Sequence, residues 1–77
     1  MTAVVVENYY YIADDFIAYI KGVFDDKCLA IDIVRREYDL NPALELIEDN
    51  GQDLWYKTRT GEQINIIFEE FELNKLR

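Results

Sequence analysis

The chain has no histidine and no serine, a single cysteine, one proline and three glycines in 77 residues. Each shortage excludes something. Without serine and histidine, neither a Ser-His-Asp triad nor a Cys-His pair can be built. A serine-borne prosthetic group is excluded for the same reason. Cys28 has no second thiol for an intrachain disulfide, and one cysteine without histidine leaves structural zinc short of ligands. A thiol with no base partner reads as a buried, inert core cysteine. Bases are scarce as well: 8 against 16 acids, a formal charge of −8. Such a balance repels nucleic acid and anionic membrane and attracts basic surfaces. No apolar run reaches the roughly 20 residues needed to span a bilayer. Residues Met1 to Glu7 lack the basic and apolar regions of a leader. With the lone thiol, these absences predict a soluble, cytoplasmic protein.

What is present is enough for one small domain over residues 1–77. Apolar residues make up 51% of the chain, which supplies a core and argues against disorder. At this size burial only just offsets chain entropy. With no disulfide or metal to help, packing or self-association must supply the rest.

Val4 to Val6 form a short β-prone stretch. From Tyr9, the apolar residues Ile12, Phe16, Tyr19, Ile20 and Val23 recur at helical spacing, with Asn8 as a cap and Lys21-Gly22 as the stop. A helix over 9–23 is predicted, although Tyr9, Tyr10 and Tyr11 would suit a strand equally well. Asp25 and Asp26 can cap a second helix carrying Cys28, Ile31, Val34 and Tyr38, with Asp32 placed to pair with Arg35 or Arg36. Alternation of Leu29, Ile31 and Ile33 is the rival strand pattern. Asn41-Pro42 looks like a helix start, which predicts a short third helix over 42–49 ending at Asn50-Gly51. Asn-Gly is also the strongest hairpin signal, so a strand competes there. The last third reads as a hairpin, Leu54–Thr58 and Ile64–Phe68 around Thr60-Gly61, against a C-terminal helix that would put Ile66 on the solvent side. The fold class predicted is α+β: two or three short helices followed by a C-terminal antiparallel β-hairpin, in winged-helix order. In that arrangement the third helix has no base, so phosphates would repel it as a recognition helix.

Chemistry-bearing clusters do not converge. The segment Asp49-Asn50-Gly51-Gln52-Asp53 fails the EF-hand spacing, which needs oxygens at positions 1, 3 and 5 and glycine at 6. The acid pairs Asp14-Asp15, Asp25-Asp26 and Glu69-Glu70 are sequence neighbours whose side chains diverge, unlike a general acid and base. No enzyme, metal or cofactor is expected.

The sharpest feature is charge asymmetry. Between Arg36 and Lys57 stand six acids, Glu37, Asp39, Glu45, Glu48, Asp49 and Asp53, and no base. A second base-free stretch, 60–74, holds Glu62, Glu69, Glu70 and Glu72. On a helix Glu45, Glu48 and Asp49 would share a face; on strands, alternate acids would lie about 6–7 Å apart, near the spacing of phosphates. The six acids, with an exposed tyrosine such as Tyr10 as apolar anchor, are the candidate partner-binding residues. A solvated acidic face is the plain alternative. Trp55 reads as core. In size, charge and missing chemistry the chain resembles small acidic inhibitors of phages and mobile elements, such as anti-CRISPR and DNA-mimic proteins. That resemblance implies an inhibitor occupying the basic, nucleic-acid-binding surface of a protein partner. Direct contact with nucleic acid or membrane is not expected. The competing reading is a homo-oligomeric accessory protein, a homodimer for instance, whose acidity only keeps it soluble.

Overall fold

The computed structural model describes residues 2–72. They form β1 (Thr2–Ile12), β2 (Asp15–Phe24), α1 (Lys27–Asp39), β3 (Leu44–Asp49), β4 (Asp53–Thr58) and β5 (Gln63–Glu72). The five strands make one sheet in the order β2-β1-β5-β4-β3, every neighbouring pair antiparallel. The helix connects one edge strand to the other and covers one face on the way. The predicted run of helices before a C-terminal hairpin is therefore wrong, and with it the winged-helix order.

Two segments keep their predicted form. Asp26 caps α1, its side chain accepting the Leu29 N–H at 3.2 Å. Asp32 and Arg36 form the i,i+4 pair at 3.4 Å. Ala30 and Val34, one turn apart, enter the core, with Ile31 and Tyr38 packed beside them. The second segment is the hairpin β4–β5.

The segment expected to be a helix over 9–23 is instead the β1–β2 hairpin. β1 alternates cleanly: Val4, Val6 and Asn8 face the helix, and Val5, Glu7, Tyr9 and Tyr11 face away. β2 lies at an edge and carries large apolar groups on both faces, so a period of two never shows. Its apolar positions match a helical stripe by coincidence. The two residues between the strands, Ala13 and Asp14, make the turn, and Ala13 has φ of +53°. This backbone region costs an L-residue about 1–2 kcal/mol, and glycine is preferred at the first position of such tight turns. Ala13→Gly should therefore raise stability by about 1 kcal/mol, read as an increase in Tm of roughly 4–8 °C.

The expected helix over 42–49 is strand β3. Asn41 does not cap a helix: its side chain accepts the Ala43 N–H at 2.9 Å while its carbonyl accepts the Leu44 N–H at 3.1 Å, which closes a turn. Asn50-Gly51 supplies the hairpin instead, with Gly51 at φ of +87°. A bulge between Leu46 and Glu48 interrupts the β3–β4 register.

The core lies between α1 and the covered face. It comprises Val4 and Val6 of β1, Ala30 and Val34 of α1, Leu54 and Tyr56 of β4, and Ile66 and Phe68 of β5. Two part-buried polar contacts border this core: Tyr38 Oη donates to Asn8 Oδ1 at 3.0 Å, and Tyr56 Oη to Asp39 Oδ1 at 2.9 Å. Burial, then the bond to Asp39, holds the Tyr56 hydroxyl pKa well above its ordinary value. Cys28 is not in this core. It is exposed in the first turn of α1, because Ala30 and Val34 set the buried stripe and Cys28 falls outside it. No helix among the described residues is long and apolar enough to cross a membrane.

Candidate functional site

The face of the sheet away from α1 carries a second set of apolar groups. β1 contributes Val5, Tyr9 and Tyr11, β2 contributes Phe16, Ala18, Ile20 and Val23, β4 contributes Trp55, and β5 contributes Ile67 and Phe71. The rings form a ladder across the strands. Phe16 and Tyr11 have centroids 5.7 Å apart, Tyr11 and Trp55 are stacked at 5.8 Å, and Tyr9 stacks on Tyr11 at 6.5 Å. These separations lie within the range of favourable ring pairs.

Beneath the rings lies Asn65, directly opposite Tyr9 on one side and Trp55 on the other, and only 4% exposed. Its amide donates to Asp53 Oδ2 at 3.0 Å and to the Leu54 carbonyl at 3.1 Å. A polar residue is thus sealed under an aromatic cover, with a carboxylate at its border.

Carboxylates border the ladder on two sides, at its β3 end and along the strands. Glu45 and Glu48 share the open face because the bulge in β3 restores their parity; they stand opposite Lys57 and Trp55. Asp53 lies on β4 in the same row as Glu7, the two on either side of Ile67. Along β1, Glu7 accepts the Tyr9 hydroxyl at 2.9 Å, and Glu69 stands diagonally from it on β5. The Glu7 carboxylate, by hydrogen bonding and by like charge, raises the Glu69 pKa above the ordinary carboxylate value. A raised carboxyl pKa means the folded chain holds its proton more readily than the unfolded chain, so stability is lost as pH rises through that range. Glu69→Gln should therefore raise Tm at about pH 7 and give no gain at about pH 3, where the carboxyls are already neutral. Thermal melts at the two pH values test this.

The six acids singled out by the sequence divide between the two faces. Glu45, Glu48 and Asp53 lie on the open one. Glu37, Asp39 and Asp49 lie on the helix side, where bases of this chain meet them. Lys21 Nζ is 2.9 Å from Glu37, and Arg35 bridges Asp39 and Asp49 at 2.9 and 2.8 Å. Glu45, Glu48 and Asp49 do not share a helix face, since they are strand residues. Tyr10 also faces the helix side, its hydroxyl 3.4 Å from Glu62. Its neighbours Tyr9 and Tyr11 are the tyrosines of the open face. Trp55, read as core, is half-buried in the ring ladder.

Sequence reasoning missed Tyr9, Tyr11, Phe16, Glu7 and Glu69. The alternation Val5, Glu7, Tyr9, Tyr11 against Val4, Val6, Asn8, Tyr10 was the signal that could have placed Glu7, Tyr9 and Tyr11 on one face.

A depression of about 530 Å³ lies at the end of the molecule formed by the two hairpin turns, lined by Tyr11, Ile12, Thr60, Glu62 and Gln63. Its carboxylate, Glu62, accepts from the hydroxyls of Thr60, Thr58 and Tyr10. These bonds lower its pKa, which makes it a weak base. Comparison with protein-family models, curated proteins and solved structures finds no match to this chain.

Proposed function

We propose that this protein is a binding module whose open sheet face docks on a basic surface of a protein partner, with no catalytic step of its own. The observation that carries the reading is the ring ladder of Phe16, Tyr11 and Trp55, bordered by Glu45 and Glu48 on β3 and, along the strands, by the row of Glu7 and Asp53 with Glu69 beyond it. Aromatic faces attract guanidinium and ammonium groups, and carboxylates at their border supply hydrogen bonds and charge. The chain already makes one such contact internally, with Lys21 Nζ 5.0 Å from the Tyr38 ring centroid. Glu7 and Glu69, which repel one another, would both be relieved by one incoming cation.

An aromatic sheet face can also stack the bases of single-stranded nucleic acid, but such sites pair the rings with a basic groove. Here five acids, Glu7, Glu45, Glu48, Asp53 and Glu69, share the open face with one base, Lys57, and the chain carries −8, so a phosphate backbone is repelled. The finer reading is inhibition: the acidic face occupies the groove in which a nucleic-acid-binding partner would hold phosphates, as a DNA mimic does. Strands about 4.8 Å apart and alternate residues about 6–7 Å apart give the carboxylates a spacing near that of phosphates.

The test is a titration of the chain with a nona-arginine peptide, followed by calorimetry at low and high salt. Binding at low salt that weakens steeply as salt rises is expected, with no binding of a single-stranded oligonucleotide. Affinity for the oligonucleotide, or salt-insensitive binding of the peptide, would defeat the electrostatic mechanism.

A further inference from the structure

The two edges of the sheet differ. β3 is short, bulged and acidic, with Glu45, Glu48 and Asp49, all features that discourage another strand from pairing. β2 is ten residues long, and from Phe16 to Val23 its only charge is Lys21. Phe16, Ile17, Tyr19, Ile20 and Val23 are each more than half exposed. They lie on both faces of the strand: Phe16, Ile20 and Val23 on the open side, and Ile17 and Tyr19 on the helix side, past the reach of α1. A long apolar edge of this kind is a template for another strand.

We propose that two copies of this chain pair antiparallel along β2, with Ala18 opposite Ala18 on a two-fold axis normal to the sheet. Three features of the strand fix this register. Phe16 stands opposite Ile20 of the second copy on the open face, and Ile17 stands opposite Tyr19 on the other. Asp15, the one acid of the strand, stands opposite Lys21, its one base, whose ammonium also meets Glu37 of its own chain at 2.9 Å; the paired segment itself carries no net charge although each chain carries −8. The smallest side chain lies on the axis, where the copies approach most closely. Backbone polarity agrees with this arrangement. Phe16 N–H donates to Asp15 Oδ1 at 2.8 Å, so it is turned away from the β1 ladder. By the period of two, the C=O of Phe16 and the N–H and C=O groups of Ala18 and Ile20 also point to the free edge, where the second copy satisfies them. The pairing ends at Lys21, the extra residue of the bulge where Val6 pairs with Gly22 and Glu7 with Ile20. A two-fold axis normal to the sheet keeps the faces together, so the dimer has a ten-stranded sheet with both ring ladders on one side. The proposal stands apart from the basic-partner reading, which concerns the face and not the edge.

The experiment is sedimentation velocity of the full chain from about 1 µM to about 1 mM. A dimer that dissociates on dilution is expected. Ala18→Pro removes an N–H that faces the edge and not β1, a position where a strand tolerates proline. This variant should remain monomeric throughout the series while keeping the native far-UV circular dichroism. Cross-linking fixes the register independently, in a Cys28→Ala background. Ala18→Cys should give a disulfide-linked dimer on mild oxidation, its Cα atoms being about 5.5 Å apart across the axis. Val23→Cys, also at an exposed position, should not, because its two copies are ten positions apart, about 33 Å. A monomer at every concentration overturns the proposal, and so does cross-linking at Val23 as fast as at Ala18.

Discussion

Ile66→Ala should lower the unfolding free energy by about 2–5 kcal/mol, the range for truncating a buried isoleucine. Ile66 is 0% exposed and lies on β5, the middle strand of the sheet. Asn8 of β1 stands on one side of it and Leu54 of β4 on the other, and the buried side of α1 closes over all three. No neighbour can collapse into the space without breaking the ladder on one side, so the cavity stays open. At about 0.05–0.15 kcal/mol per residue, a chain of this length has a total stability of about 4–12 kcal/mol. The substitution removes a large share of that, and at the low end nearly all of it. Urea titration should show a lower midpoint with an unchanged slope. A loss below about 1 kcal/mol would mean that this position repacks, contrary to its central place in the sheet.

The second large effect is on binding. Trp55 is the biggest ring of the open face, stacked on Tyr11 and covering Asn65. Rings of this kind at the centre of an interface cost about 2 kcal/mol or more when truncated. Trp55→Ala should therefore weaken the arginine peptide by about 30-fold or more, measured by calorimetry. Glu48→Lys, directly opposite Trp55, should weaken it as well and should also flatten the salt dependence. Glu37→Gln, on the helix side, should leave affinity unchanged. Equal losses for Glu37→Gln and Glu48→Lys would mean that net charge, not the open face, attracts the peptide.

The sequence made some of this fold legible and hid the rest for physical reasons. α1 could be read because its cap, its buried stripe and its ion pairs are all local. The hairpin β4–β5 could be read because its turn carries glycine between two β-prone runs. β2 could not be, since an edge strand with apolar groups on both faces has no alternation, and its spacing imitates a helix. β3 was hidden by Asn41, whose side chain serves a turn as readily as a helix start. The acids Glu45, Glu48 and Asp53 stood out by charge, but the ring ladder did not. Its members come from three strands, and only the register of β1 against β2 and the insertion of β5 bring them together.

That insertion also governs the order in which the chain can assemble. β5 follows every other strand in sequence yet lies at the centre of the sheet, with β1 on one side and β4 on the other; Thr2 is paired with Glu72. Until β5 has been synthesised, the β1–β2 hairpin and the β3–β4 hairpin share no strand contact, and α1 has only two separate halves to cover. The pairing of β1 with β5 closes nearly the whole chain into one loop, a slow step for a small protein. During translation the apolar surfaces of β1 and β2 therefore wait without their partner, and folding completes only when the last strand arrives to join the two halves.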